Sequence, residues 1–170
     1  MSYINPLLSL LGLPKSDTTL SVELEKKDIV ISNELVLGDD EYRAYIERPN
    51  YGFCLIFTDE SYFLGNSGVA IGEGELFYSG VFFHSEGKDD YKEYKEDLPF
   101  NLSFLDTRDD VLNKLGRQSW QRLAKDGVRV ISDRWDDLAE VPYRLSVTYD
   151  KESGRVSIIS ASIPDQPLNG

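Results

Sequence analysis

Residues 98–116, LPFNLSFLDTRDDVLNKLG, constrain the fold most, because a strand pattern, a capped helix start and a helix stop follow one another without interruption. Phe100, Leu102 and Phe104 alternate with Asn101 and Ser103, the period-2 spacing of a strand with one buried face. Thr107 stands where an N-cap is wanted, with Asp110 three residues on as a short-armed capping-box acid and Leu105 just upstream. Asp109 and Asp110 put negative charge at the positive end of the helix dipole. Val111, Leu112 and Leu115 share one helical face, and Gly116 sits where a left-handed residue closes a helix. The expectation is a strand followed directly by a short helix.

The remaining pattern predicts an α+β fold: mainly antiparallel sheet, in one or two sheets, with two short helices packed on one face. Residues 3–13 read as the other helix, with Asn5 as N-cap, Pro6 at the tolerated first position, and Gly12 and Pro14 as the stop. Residues 20–24 and 29–31 read as short strands, although LSVELEKK also suits a helical turn. Gly38-Asp39 signals a turn, after which 42–47 and 53–58 form a hairpin across Pro49-Asn50-Tyr51-Gly52. Residues 60–75 suit a wandering loop with one strand, and 76–84 is the most hydrophobic strand candidate. After the central helix, 118–125 is polar around Trp120 and Leu123, and 128–131 looks like a strand. Tyr143, Leu145, Val147 and Tyr149 then alternate with polar residues, Asp150 to Gly154 turns the chain, and 156–163 returns before a frayed tail.

At 170 residues the chain is long enough to bury a core as a single compact domain. Eighteen Lys and Arg against thirty Asp and Glu give a net charge of −12, which argues against direct nucleic-acid binding because phosphate contacts need clustered cations. The same charge can steer the protein toward a basic partner. Cys54 is alone in an apolar run and reads as a buried thiol. Residues 2–13 lack the basic start and small-residue cleavage site of a leader, and no apolar run approaches membrane-spanning length. A cytoplasmic, membrane-independent protein is expected.

Catalytic and cofactor signals are weak. Gly72-Glu73-Gly74 lacks the third glycine, helix start and lysine of a phosphate cradle. His84 is the only histidine, so a two-histidine metal site cannot form, and it reads as structural. Asp133, Asp136 and Asp137 would be the carboxylates of a hydrolase, but they read as solvated acids on a turn with no activated nucleophile. Trp135 reads as packing over a sheet edge. We expect no enzyme activity and no cofactor. Residues 86–97 hold six acids, three lysines and two tyrosines, readable as an exposed charged loop or as a recognition surface in which acids select a basic partner and Tyr91 and Tyr94 supply contact area.

The two halves match in outline, suggesting tandem helix-plus-hairpin repeats over 1–97 and 98–163. Leu8 to Gly12 corresponds to Leu112 to Gly116, Tyr42-Arg43 to Tyr143-Arg144, and Gly52 before FCLIF to Gly154 before RVSII. Short convergent helix stops would give the same match. Thr107 to Val111, Leu115-Gly116, Trp135, residues 143–149 and residues 154–159 together resemble the helix-plus-sheet unit of the SmpA/OmlA and beta-lactamase-inhibitor-protein-like group. The proline common after Leu-Gly in that group is absent here, where Arg117 follows. LLGLPKSD near the start, with 98–116, also resembles small acidic immunity proteins encoded beside bacterial toxins.

That second resemblance implies binding and blockade of a cognate toxin, most naturally a basic nuclease domain, through an acidic surface. The expected partner-binding residues are Asp39, Asp40, Glu41, Glu86, Asp89, Asp90, Tyr91, Glu93 and Tyr94. The alternative is a non-catalytic adaptor or assembly protein that binds another cellular partner through its sheet.

Overall fold

A computed structural model describes residues 5–65 and 68–165. Residues 3 and 4 of the first expected helix, Asn66 and Ser67 of the expected loop and residues 166–170 of the expected tail lie outside the described residues. The fold is α+β, with a seven-stranded antiparallel sheet and a few short helices. The strands are β1 (Arg43–Arg48), β2 (Phe53–Asp59), β3 (Leu76–His84), β4 (Trp120–Leu123), β5 (Val130–Trp135), β6 (Arg144–Tyr149) and β7 (Val156–Ser162). They hydrogen-bond in the order β1-β2-β3-β7-β6-β5-β4. The chain sorts into two compact units, each assembled from separated segments.

One unit contains Pro6–Glu47, Cys54–Val81 and residues 163–165. Its helices are α1 (Pro6–Ser9), α2 (Thr18–Glu25), α3 (Ile31–Glu34) and α4 (Glu60–Phe63). Residues 20–24 are helical rather than extended because Asp17 caps α2, accepting from the Leu20 amide at 3.0 Å, and because Leu20 and Leu24 bury at helical spacing. Residues 29–31 likewise form no strand, and Ile31 opens α3. The expected strand in 60–75 does not occur among the described residues. Asp59 instead caps α4 through Ser61, and its other oxygen takes the Gly72 amide at 2.9 Å. The core holds Leu7, Leu24, Phe57 and Tyr78, whose hydroxyl donates to the Leu7 carbonyl. Cys54 is a buried thiol.

The other unit contains Asn5, Arg48–Phe53 and Phe82–Ser162. Helix α5 (Arg108–Leu115) starts as its sequence dictates, in a capping box in which the Thr107 amide donates to the Asp110 carboxylate at 3.0 Å. That amide and the Thr107 hydroxyl hold the Asp110 carboxyl below its ordinary range. Gly116 closes α5 with φ 82° and ψ −163°, a region open essentially to glycine alone, rather than in the left-handed helical region. The expected strand over 100–104 is a turn. Pro99–Asn101 form a tight turn in which Phe100 and Asn101 take left-handed φ of 56° and 59°, the Asp106 carboxylate takes the Ser103 amide and the Ser103 hydroxyl takes the Leu105 amide. Side-chain oxygens thus capture the backbone groups a strand would need, while Leu102 and Phe104 still bury alternately. In β6 the alternation is genuine: Leu145, Val147 and Tyr149 are buried. The polar run at 118–125 contains β4, paired to β5 in register Trp120↔Arg134 and Gln121↔Asp133.

Candidate functional site

Charged groups concentrate on the segment that follows β3. Its first anchor is His84, whose amide donates to the Gly52 carbonyl at 2.8 Å and whose carbonyl accepts from the Tyr94 amide at 3.0 Å. The Lys92 amide donates to the Pro49 carbonyl at 2.8 Å, so residues 92–94 return along the turn between β1 and β2. Gly87, with φ 81°, lets the segment reverse, and its amide closes the reversal on the Tyr91 carbonyl at 2.8 Å. Asp89 and Asp90 follow one another with φ 55° and 65°, a left-handed pair that aspartate tolerates better than most residues.

The tyrosines and the acids of this segment part company. Tyr91 and Tyr94 are buried, which corrects the expectation that their rings supply contact area to a partner. Tyr91 stacks on His84 with ring centres 3.9 Å apart, and Tyr94 packs on Phe83 at 4.4 Å. Asn5 donates to the Tyr94 hydroxyl and to the Asp97 carbonyl, and that hydroxyl donates to Glu96 at 3.1 Å. Apolar ring area drives both tyrosines inward, and the polar ends find partners there. Glu86, Asp89, Asp90, Glu96 and Asp97 are exposed, and Glu93 is half-buried beside Lys95 at 2.8 Å. Glu86 takes the Glu93 amide at 2.8 Å, closing the loop on itself. Carboxylates therefore project from a backbone held by buried rings. Asp39, Asp40 and Glu41 are exposed on a turn of the other compact unit, where the Glu41 amide meets the Gly38 carbonyl at 3.2 Å.

His84 is buried under this platform, with neither ring nitrogen hydrogen-bonded. Burial lowers its pKa, Asp89 opposes that shift and Lys88 adds to it. Near neutral pH the imidazole is uncharged in both folded and unfolded chains. As pH falls through the ordinary histidine range, about 6.5, the unfolded chain binds a proton that the folded chain resists, so stability declines until folded His84 protonates. A His84→Phe variant should lose this part of the decline in melting temperature between about pH 7.5 and 5.5. An unchanged slope would show that another group carries it.

A second polar cluster lies between α5 and the sheet. Asp133 on β5 is fully buried and accepts from Arg108 Nε at 2.8 Å, Arg108 Nη2 at 3.2 Å and the Tyr149 hydroxyl at 2.8 Å. Asp133 is thus not the solvated turn acid expected from its neighbours. The Asp133 hydrogen bond raises the Arg108 pKa, while burial and then Asp133 push Tyr149 up. Asp136 pairs with Arg134 at 2.8 Å and Arg144 at 3.4 Å, and Asp137 is exposed. Trp135 is buried and donates its indole N–H to the Gly116 carbonyl at 3.1 Å. This clamp ties the start of α5 to two strands. Its signal in the sequence is Asp133 standing in one row with Ile131 and Trp135, a position where a carboxylate needs a partner.

Among the described residues no group of three or more His, Cys, Asp or Glu is arranged to hold a metal ion, and no helix is long and apolar enough to cross a membrane. No family model, no curated protein and no solved structure matches the chain.

Proposed function

We propose that this chain is an immunity protein, acting inside the cell that makes it, that binds and blocks a cognate bacterial toxin of basic charge, a nuclease domain in the first instance. The observation that carries the reading is the pinned segment 86–97, where five exposed carboxylates, Glu86, Asp89, Asp90, Glu96 and Asp97, stand on a backbone anchored by Tyr91 and Tyr94. Acids spaced on a fixed backbone imitate the charge of a phosphate strand and meet Lys and Arg without first paying to order a loop. A net charge of −12 adds long-range attraction to a basic target. The tyrosines serve here as loop anchors, and contact falls to the carboxylates. Asp39, Asp40 and Glu41 form a second acidic turn whose share is separable by its own charge reversal.

The test is co-expression with the toxin encoded beside it. Growth should be restored by the intact chain and lost with Asp89→Lys/Asp90→Lys/Glu93→Lys. In purified form the triple variant should associate at least ~10-fold more slowly at low salt, a difference that shrinks as salt rises. Cells that die with or without the chain would end the immunity reading, and unchanged binding by the triple variant would move the contact off this segment.

A further inference from the structure

The β4–β5 hairpin inverts the charge of the chain. Between residues 117 and 130, Arg117, Arg122, Lys125 and Arg129 face a single acid, Asp126, in a protein of net charge −12. Asp126 is committed to the turn, where its carboxylate takes the Val128 amide at 2.8 Å and the Arg129 amide at 3.0 Å. Among the described residues none of the four cations forms an ion pair.

Strand β4 ends the sheet order, so one side of its backbone has no strand partner among the described residues. All four of its residues are exposed. Trp120 is 47% exposed with the Arg134 guanidinium 5.1 Å from its ring centre, and Val128 at the hairpin end is 82% exposed. Edge strands are commonly shielded from unwanted pairing by cations. Shielding accounts for Arg122 but not for an exposed Trp120, Leu123 and Val128 beside it, since apolar side chains on a free edge invite pairing.

We propose that the free edge of β4 takes up an extended acidic segment of a partner protein as an added strand. The outward amides and carbonyls of β4 supply the ladder. Trp120 supplies a flat apolar contact, and Arg117, Arg122, Lys125 and Arg129 complement carboxylates on the incoming chain. Backbone pairing favours a peptide over a nucleic acid, which offers no ladder of amides. This surface is separate from residues 86–97 and opposite to them in charge, so each stands or falls without the other.

The test uses a peptide of about ten residues alternating Glu and Val, its Lys-Val counterpart and a single-stranded oligonucleotide, each titrated into the full chain. The acidic peptide should bind and slow amide exchange across Trp120 to Leu123, and the Lys-Val peptide should do neither. Arg122→Glu/Arg129→Glu should weaken binding at least ~10-fold at unchanged melting temperature, and Trp120→Ala should weaken it independently. Absence of protection in β4, equal binding of both peptides, affinity for the oligonucleotide alone, or undiminished binding by the double variant would each overturn the assignment.

Discussion

Arg108→Ala should destabilise the fold by about 3–5 kcal/mol, the cost of leaving a buried carboxylate without its cation. Asp133 has no solvent exposure, and without Arg108 its remaining side-chain partner is the Tyr149 hydroxyl at 2.8 Å. Asp133→Leu should cost less, because Arg108 retains about a third of its side-chain exposure and can turn to water. The double variant Arg108→Met/Asp133→Leu should recover most of the loss, since a well-packed apolar pair often matches a buried ion pair. Urea unfolding of the three variants, read with the denaturant slope, separates these outcomes. A loss under about 1 kcal/mol for Arg108→Ala would mean that the carboxylate reaches water after all.

The parts of the fold legible in the sequence are those in which local chemistry and burial agree. Thr107, Asp110 and Val111 specify α5 by capping and periodicity, and the alternation of Leu145, Val147 and Tyr149 specifies β6. Legibility fails where the two conflict. Residues 100–104 alternate correctly, yet the side chains of Ser103 and Asp106 hold the backbone in turns. Strand β4 carries no alternation to read, because every one of its residues is exposed and pairing with β5 alone makes it a strand. The acidic segment was visible as charge, but the inward rotation of Tyr91 and Tyr94 depends on His84, Phe83 and Asn5, which the fold brings to them from distant or differently patterned positions. The Arg108–Asp133–Tyr149 clamp joins three elements across the sequence, and only the placement of Asp133 in an apolar row hints at it.

Gly52→Ala should cost about 3 kcal/mol and act on the acidic segment specifically, from about 1–2 kcal/mol for a left-handed alanine and about 1–3 for overpacking. Gly52 has φ 79°, and an added Cβ would collide with the Tyr94 nitrogen and lie 2.5 Å from the Lys92 oxygen. Both are backbone atoms, so no side-chain rotation relieves the clash, and the returning residues 92–94 must lift away. The Tyr94 amide would then lose its bond to His84, and the His84–Tyr91 stack would open. Faster exchange of the Tyr94 amide and a rise of the His84 pKa toward its ordinary value should accompany the fall in melting temperature. Gly154→Ala is the control: its φ is 72°, but no atom lies within 4 Å of the added Cβ, so it should show backbone strain alone, about 1–2 kcal/mol, with His84 unmoved. If the two variants behave alike, the left-handed turn rather than the close approach is what demands glycine at Gly52, and the carboxylates of 86–97 would be held by Tyr91 and Tyr94 without help from the β1–β2 turn.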